Sequence, residues 1–330
     1  MNIIVDAMGG DNAPLEVVKG ALDAALEYKN VTITLVGDEN KIRECAKELE
    51  MIIPENISII HTTVFVTMED DPMVVMKEKS ESSMNLGLRL LKEEKGDAFI
   101  SAGSTGALHT ASTLIVRKIR GIRRSAIAAI LPFTPPILLL DSGANPVVTA
   151  DVLLQWAIIG SAYMRKVFGV ENPRVGLLNN GTEEHKGTPV ACEAYGLLKS
   201  NEAINFVGNI EAKEIPNSPC DVLVTDGFTG NIALKLTEGM GKFMGKTLTE
   251  LFTANIFTKL SYLFHFKRRI KGVKKRLDAS EYGGAPLLGL AKPVIKAHGS
   301  SKAKEIKIAI RQAIEYARSN ITNDVAEELK

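Results

Sequence analysis

Asp221–Asn231, DVLVTDGFTGN, changes character partway along: Val222, Leu223 and Val224 form an apolar run, and Thr225–Asn231 follows with two glycines and four polar residues. A continuous β-branched run suits a strand covered on both faces. Small polar residues suit the turn where such a strand gives way to a helix, and the spacing from Ile232 to Leu251 is helical. The same succession recurs at Asn2–Pro14 (NIIVDAMGGDNAP), Ile33–Asn40 (ITLVGDEN), Ala98–Thr110 (AFISAGSTGALHT), Ile137–Pro146 (ILLLDSGANP) and Val175–Gly187 (VGLLNNGTEEHKG). Pro14 fits the first position of a helix reaching Tyr28. Alternation of this kind predicts βαβ units in an α/β fold, doubly wound in three α/β/α layers.

Residues 1–330 read as a single catalytic α/β unit, with one exception. Residues 239–277 contain no strand-like run, turn apolar and then sharply basic, and are expected to form a projecting helical hairpin. Within it Ile256, Phe257, Leu260, Leu263 and Phe264 share one helical face, and Phe266 adjoins them. Lys267–Arg276, KRRIKGVKKR, then holds seven basic residues. Such a pairing suits an anionic membrane surface or an acidic carrier protein. A dimer contact is the plainer reading of the same apolar face.

Composition narrows the function. The 330 residues are 45% hydrophobic and 24% charged, with a net charge of +1, so global charge singles out no partner and no nucleic acid is expected. Cys45, Cys192 and Cys220 are scattered, without the spacing of a disulfide framework or zinc site, which fits a reducing cytosol. The N-terminal stretch has no signal-peptide pattern. The uncharged run at Ser125–Leu140 is too short, and too rich in proline, to span a bilayer.

Ligands of open α/β sheets bind at the carboxyl ends of the strands, where small residues allow close backbone approach and helix starts offer N–H groups. Ser101–Gly106 and Asp226–Asn231 are the best candidate phosphate cradles. Neither carries the lysine of a nucleotide P-loop, and no GxGxxG follows the first strand. Ordinary strand-to-helix turns favour the same residue types. Their number, together with the polar cluster Asn179–Gly187, points to a shared anion site. Lys186 in that cluster is placed to neutralise phosphate or oxyanion charge, although a solvated charged loop would read the same way. Tyr282–Pro286 and Lys296–Ser301 are two further polar turns with glycines.

In sequence order, VDAMGGDNAP, ISAGSTGAL, LLLDSGAN, LLNNGTEEHKG, VTDGFTGN, YGGAPLLGL and VIKAHGSS resemble the bacterial phosphate:acyl-acyl-carrier-protein acyltransferase family. The likeness runs from Val5 to Ser301. Departures are mild: Asn12, Ser104, Ser142 and Asn180 stand where that family usually has His, Asn, Val and Val.

The resemblance implies a fold like isocitrate and isopropylmalate dehydrogenases and phosphotransacetylase. It also implies a homodimer, with neither metal nor organic cofactor, that is cytoplasmic and peripherally membrane-associated. The implied reaction moves a long-chain fatty acyl group from acyl-carrier protein to inorganic phosphate. The acyl phosphate would pass to a downstream glycerol-3-phosphate acyltransferase in phospholipid synthesis.

On this reading Lys186, Asn231 and His298 are the expected catalytic residues. Phosphate or substrate binding falls to Asp6, Gly9, Gly10, Ser104, Thr105, Gly106, Asn145, Glu183, Asp226, Gly230, Gly283 and Gly284. Phosphate is expected at a helix start after Gly230–Asn231. Three rivals remain: a coenzyme A-dependent phosphate acyltransferase, a metal-dependent decarboxylating dehydrogenase, and a lipid- or carrier-binding scaffold without catalysis.

Overall fold

The apolar runs become twelve strands among the described residues, which in this computed structural model are 1–72, 77–253, 272 and 279–328. In chain order the first half comprises β1 (Asn2–Asp6), α1 (Leu15–Glu27), β2 (Thr32–Gly37), α2 (Glu39–Glu48), β3 (Ile57–His61), α3 (Ser83–Lys92), β4 (Ala98–Ser101) and α4 (Thr105–Ile115). Then come β5 (Ala126–Ile127), β6 (Ala129–Leu131), β7 (Ile137–Leu140), α5 (Ala150–Val167), β8 (Arg174–Asn179), α6 (Pro189–Ser200) and β9 (Asn205–Glu211). The chain continues with β10 (Val222–Val224), α7 (Gly227–Thr253), β11 (Ala285–Leu288), β12 (Val294–Lys296), α8 (Ala303–Arg318) and α9 (Ile321–Glu328).

The strands divide between two sheets, of order β3-β2-β1-β4-β12-β11-β5 and β6-β7-β10-β8-β9. In the first, β1, β2, β3, β4 and β12 are mutually parallel, and β11 runs antiparallel to β12 and β5. In the second, β7, β10, β8 and β9 are parallel and β6 is antiparallel. Each sheet is covered on both faces, as the unbroken apolar runs require. Ile3 and Val5 point to the cluster holding α1 and α8 residues such as Leu22 and Ile310, whereas Ile4 joins Met84 of α3 and Leu108 of α4. Likewise Val222 and Val224 pack with Trp156 of α5, and Leu223 faces Leu234 of α7. Fully burying each such side chain contributes about 1.5–3 kcal/mol.

A short stretch joins the sheets. β5 pairs with β11 in the first and β6 pairs with β7 in the second, with Ala128 alone between them. The sequence reading saw an uncharged run there and could not see that it serves two ladders.

Local signals mostly behave as expected. Pro14 stands one residue before the first helical position, with no side-chain cap, while Asp38, Ser82, Ser104 and Thr188 each accept an amide of the following first turn. α7 begins at Gly227 rather than after Asn231, because Asp226 caps it through the Thr229 amide at 2.9 Å. Ile256, Phe257, Leu260, Leu263, Phe264 and Phe266 lie outside the described residues. No described helix is long and apolar enough to cross a membrane.

Candidate anion-binding site

The polar turns, except Tyr282–Pro286 at the start of antiparallel β11, emerge at carboxyl ends of parallel strands. Those after β1, β4 and β12 are neighbours in the first sheet, and those after β7, β10 and β8 are neighbours in the second.

At the first edge Asp6 is buried and accepts from the Ser83 and Ser101 hydroxyls, each at 2.6 Å, and from the Met8 amide at 3.2 Å. Burial raises its carboxyl above the ordinary aspartate value, against the pull of those hydrogen bonds. Ser101 Oγ also accepts the Gly103 amide at 3.0 Å, so one carboxylate organises the turn leading to α4. A Cβ on Gly9 would stand 2.5 Å from Asp6 Oδ2 and 2.8 Å from the Gly103 nitrogen, so only glycine permits this approach. Gly10 adopts φ +111° in the same loop. The loop is tied to the turn after β12 by the Asp11 amide on the Gly299 carbonyl at 2.8 Å and by Asn12 Nδ2 on the Ser300 carbonyl at 3.0 Å.

Ser104 caps α4, and Thr105 and Gly106 are exposed in its first turn. Their amides are the free donors that a helix start offers an anion. His298 is exposed, and its Nδ1 accepts the Ser300 amide at 3.2 Å, which places a neutral ring's proton on Nε2. Burial lowers its pKa first, and the positive charges of Lys296, Lys235 and Lys242 act in the same direction. Lys235 and Lys242 belong to α7, so that helix brings the second edge within electrostatic reach of the first.

At the second edge the buried Asp141 carboxylate accepts the amides of Ile127 (3.0 Å), Gly143 (3.2 Å), Ala144 (3.1 Å) and Asn145 (2.6 Å). Asn145 Nδ2 adds a 2.9 Å bond to it and a 2.8 Å bond to the Ser125 carbonyl, and the Asn145 carbonyl receives the Gly227 amide at 2.8 Å. Gly230 is pressed against β7 so closely that a Cβ would lie 1.9 Å from the Asp141 carbonyl oxygen. Asn231, exposed, sits over Gly143. Glu183 and Lys186 fold over Gly181, where a Cβ would be 3.0 Å from Glu183 Oε2 and 3.0 Å from Lys186 Cγ. Asn179 Nδ2 holds the Lys186 carbonyl at 3.0 Å, and Asn209 Nδ2 holds the Glu183 carbonyl at 2.8 Å. Lys186 is exposed, and no carboxylate among the described residues pairs with its ammonium.

The structure therefore brings Asp6, Gly9, Gly10, Ser104, Thr105, Gly106 and His298 to one edge, and Asn145, Glu183, Lys186, Asp226, Gly230 and Asn231 to the other. Several roles differ from expectation. The Gly230 amide is bonded to the Asp226 carbonyl at 2.9 Å, so no helix start follows Gly230–Asn231, and the free first-turn amides belong to α4. The Asn145 side chain is committed to Asp141 and Ser125. Gly283 and Gly284 pack on α8: the Gly284 amide donates to Gln312 Oε1 at 2.8 Å, and a Cβ on Gly283 would meet that oxygen at 2.5 Å.

Asp141, Asn209, Gln312 and the buried Lys296 were missed. For Asp141 a signal existed, since Asp at a strand end followed by Ser-Gly is a side-chain-capped turn. Asn209 and Gln312 carry none, because their partners are far away in sequence.

The small-residue turns of the two edges and the first-turn amides of α4 are features suited to holding an anion, set on a two-sheet α/β architecture. Solved structures share the architecture. A phosphotransacetylase from Streptococcus pyogenes superposes with a TM-score of 0.64 at 18% identity, covering 96% of this chain and 94% of that one. A putative 4-hydroxythreonine-4-phosphate dehydrogenase from Salmonella typhimurium gives 0.52 at 12% identity, with 96% and 98% covered. The dehydrogenase-like doubly wound fold is thus established.

The chain belongs to the fatty acid synthesis protein family, whose model matches residues 1–324. A protein of Thermoanaerobacter pseudethanolicus named phosphate acyltransferase is 42% identical over 331 aligned positions, covering 100% of this chain and 98% of the relative. The resemblance carried by the motifs is borne out.

Proposed function

We propose that this chain is an acyltransferase that moves a long-chain fatty acyl group from acyl-carrier protein to inorganic phosphate. The observation that carries the reading is Lys186, exposed and with no carboxylate partner among the described residues, on the same sheet edge as exposed Asn231, while the positive charges of α7 reach His298 on the other edge. Phosphate is a competent nucleophile, so the protein has to hold it against the thioester carbonyl and stabilise the oxyanion. A phosphate oxygen adds to the carbonyl carbon, the oxyanion collapses, and the C–S bond breaks to release thiolate. Lys186 and the Asn231 amide neutralise the developing charge, while Thr105 and Gly106 amides hold phosphate. His298, neutral with its proton on Nε2, acts as a hydrogen-bond donor that orients rather than as the acid for the thiolate.

No cysteine nucleophile is needed. Cys220 is pushed up to about 12 by burial, and burial also raises Cys45.

The reading extends to a cytoplasmic homodimer, peripherally attached to anionic membrane, that delivers acyl phosphate to a glycerol-3-phosphate acyltransferase. Residues 1–330 act as one catalytic unit and 239–277 as the dimer and membrane contact. Phe228, Ile232, Leu236, Met240 and Phe243 are exposed at helical spacing on α7, which supports an apolar partner along this helix.

The test is phosphate-dependent loss of palmitoyl-acyl-carrier protein, with product trapped by hydroxylamine as the hydroxamate. Lys186→Ala and Asn231→Ala are expected to lower turnover on the order of 10²-fold with unchanged folding. Thioester loss without phosphate would make the protein a thioesterase. Activity only with coenzyme A thioesters would change the donor.

A further inference from the structure

Lys296 is the last residue of β12, wedged in register beside Ser101 of β4 and Ala285 of β11, and only 7% exposed. Its ammonium donates to the Ala102 carbonyl at 3.3 Å and to the Ala297 carbonyl. These are neutral acceptors, and no carboxylate among the described residues lies within ion-pair distance. The titratable groups facing it are Asp6 at the end of β1, Asp11 in the β1–α1 loop and His298 in its own turn; β4 and β11 present none. Ala102 opens the turn that ends at Ser104, the cap of α4, and Ala297 opens the turn that carries His298. One cation thus joins the two turns of the first edge.

An apolar side chain of similar volume would fill this position without the cost of desolvating a charge. A buried lysine with only carbonyl partners lowers stability, and such groups concentrate where their charge is used. We propose that Lys296 is a positioning residue for the phosphate subsite, tying the Ala102–Ser104 turn to the Ala297–Ser301 turn and placing a buried positive charge beneath the anion. The ligand class is a phosphoryl dianion, either phosphate or the acyl-phosphate product. This rests on the phosphate acyltransferase reading above.

Burial depresses the Lys296 pKa to about 8. The charge is therefore present below that pH and lost above it, where phosphate is already fully the dianion.

The test uses the full-length protein with palmitoyl-acyl-carrier protein and varied phosphate. Lys296→Met removes charge and tether, whereas Lys296→Gln removes charge and keeps a donor for the Ala102 carbonyl. KM for phosphate is expected to rise about tenfold or more in Lys296→Met and less in Lys296→Gln, with KM for the acyl donor unchanged in both. The parent should lose kcat/KM for phosphate as pH rises through about 8, and both variants should lack that limb. Lys296→Met should also unfold no more easily than the parent, since a merely structural lysine would be missed.

Phosphate KM within about twofold of the parent together with an unaltered pH profile would overturn the proposal. If neither variant folds, a parent profile that stays flat through about pH 9 overturns it alone. Absence of phosphate-dependent turnover in the parent would instead sink the underlying reading.

Discussion

Each sheet ends a strand in a buried aspartate, and the two carboxylates are held in opposite ways. Asp6 accepts two hydroxyls as well as backbone amides, whereas Asp141 accepts nitrogen donors alone, most of them backbone amides. A hydroxyl can rotate and reverse its role, so the set around Asp6 can adapt. Amides are fixed by the chain, so Asp141 dictates the course of residues 142–145 and, through Asn145, the start of α7. One edge is thus adjustable and the other rigid.

Asp141→Ala should break that contrast most visibly, because it orphans several buried donors at once. A loss of about 3–5 kcal/mol in urea unfolding is expected, and a loss no greater than that of Asp6→Asn would erase the distinction. Gly230→Ala should follow. Its methyl has no room beside the Asp141 carbonyl, so about 1–3 kcal/mol is expected together with a displaced Asn231 and reduced turnover. Full stability in that variant would mean the second edge is softer than described.

Asp6→Asn should cost about 1 kcal/mol near neutral pH, since rotated hydroxyls can serve the amide. Its value lies in the pH dependence. The folded carboxyl of Asp6 is raised, so its contribution is complete below the unfolded value and falls as pH rises through the folded one. The parent should therefore gain stability relative to Asp6→Asn on acidification, and a difference that shrinks with falling pH would contradict the burial of Asp6.

Much of this was legible in the residues. Turns such as SAGST and TDGFTGN announce strand ends because a buried strand can hand over to a helix only through residues that tolerate tight backbone approach. Lys186 stood out as the one lysine of the polar cluster Asn179–Gly187, where a solvated charged loop would read the same way. Lys296 did not, since a lysine at a strand end reads as solvated until β11 and β4 are seen to close around it. Gly283–Gly284 misled for a related reason: a glycine pair records close contact, but not whether the contact is a ligand or, as here, Gln312. The division into two sheets escaped as well, because β6 pairs with the adjacent β7 while β5 waits for β11, far downstream.

That division bears on mechanics. The Ala128 amide itself donates to the Pro286 carbonyl at 2.9 Å, so bonding to the first sheet continues up to the residue where the second takes over. The stretch behaves as a beam clamped at both ends, with no slack residue to serve as a pivot. Swinging the two sheets apart at this crossing would have to peel a ladder, so the crossing itself is no hinge. Passage between the turns then falls to the compliance of side chains and loops, a gauge cut to one width.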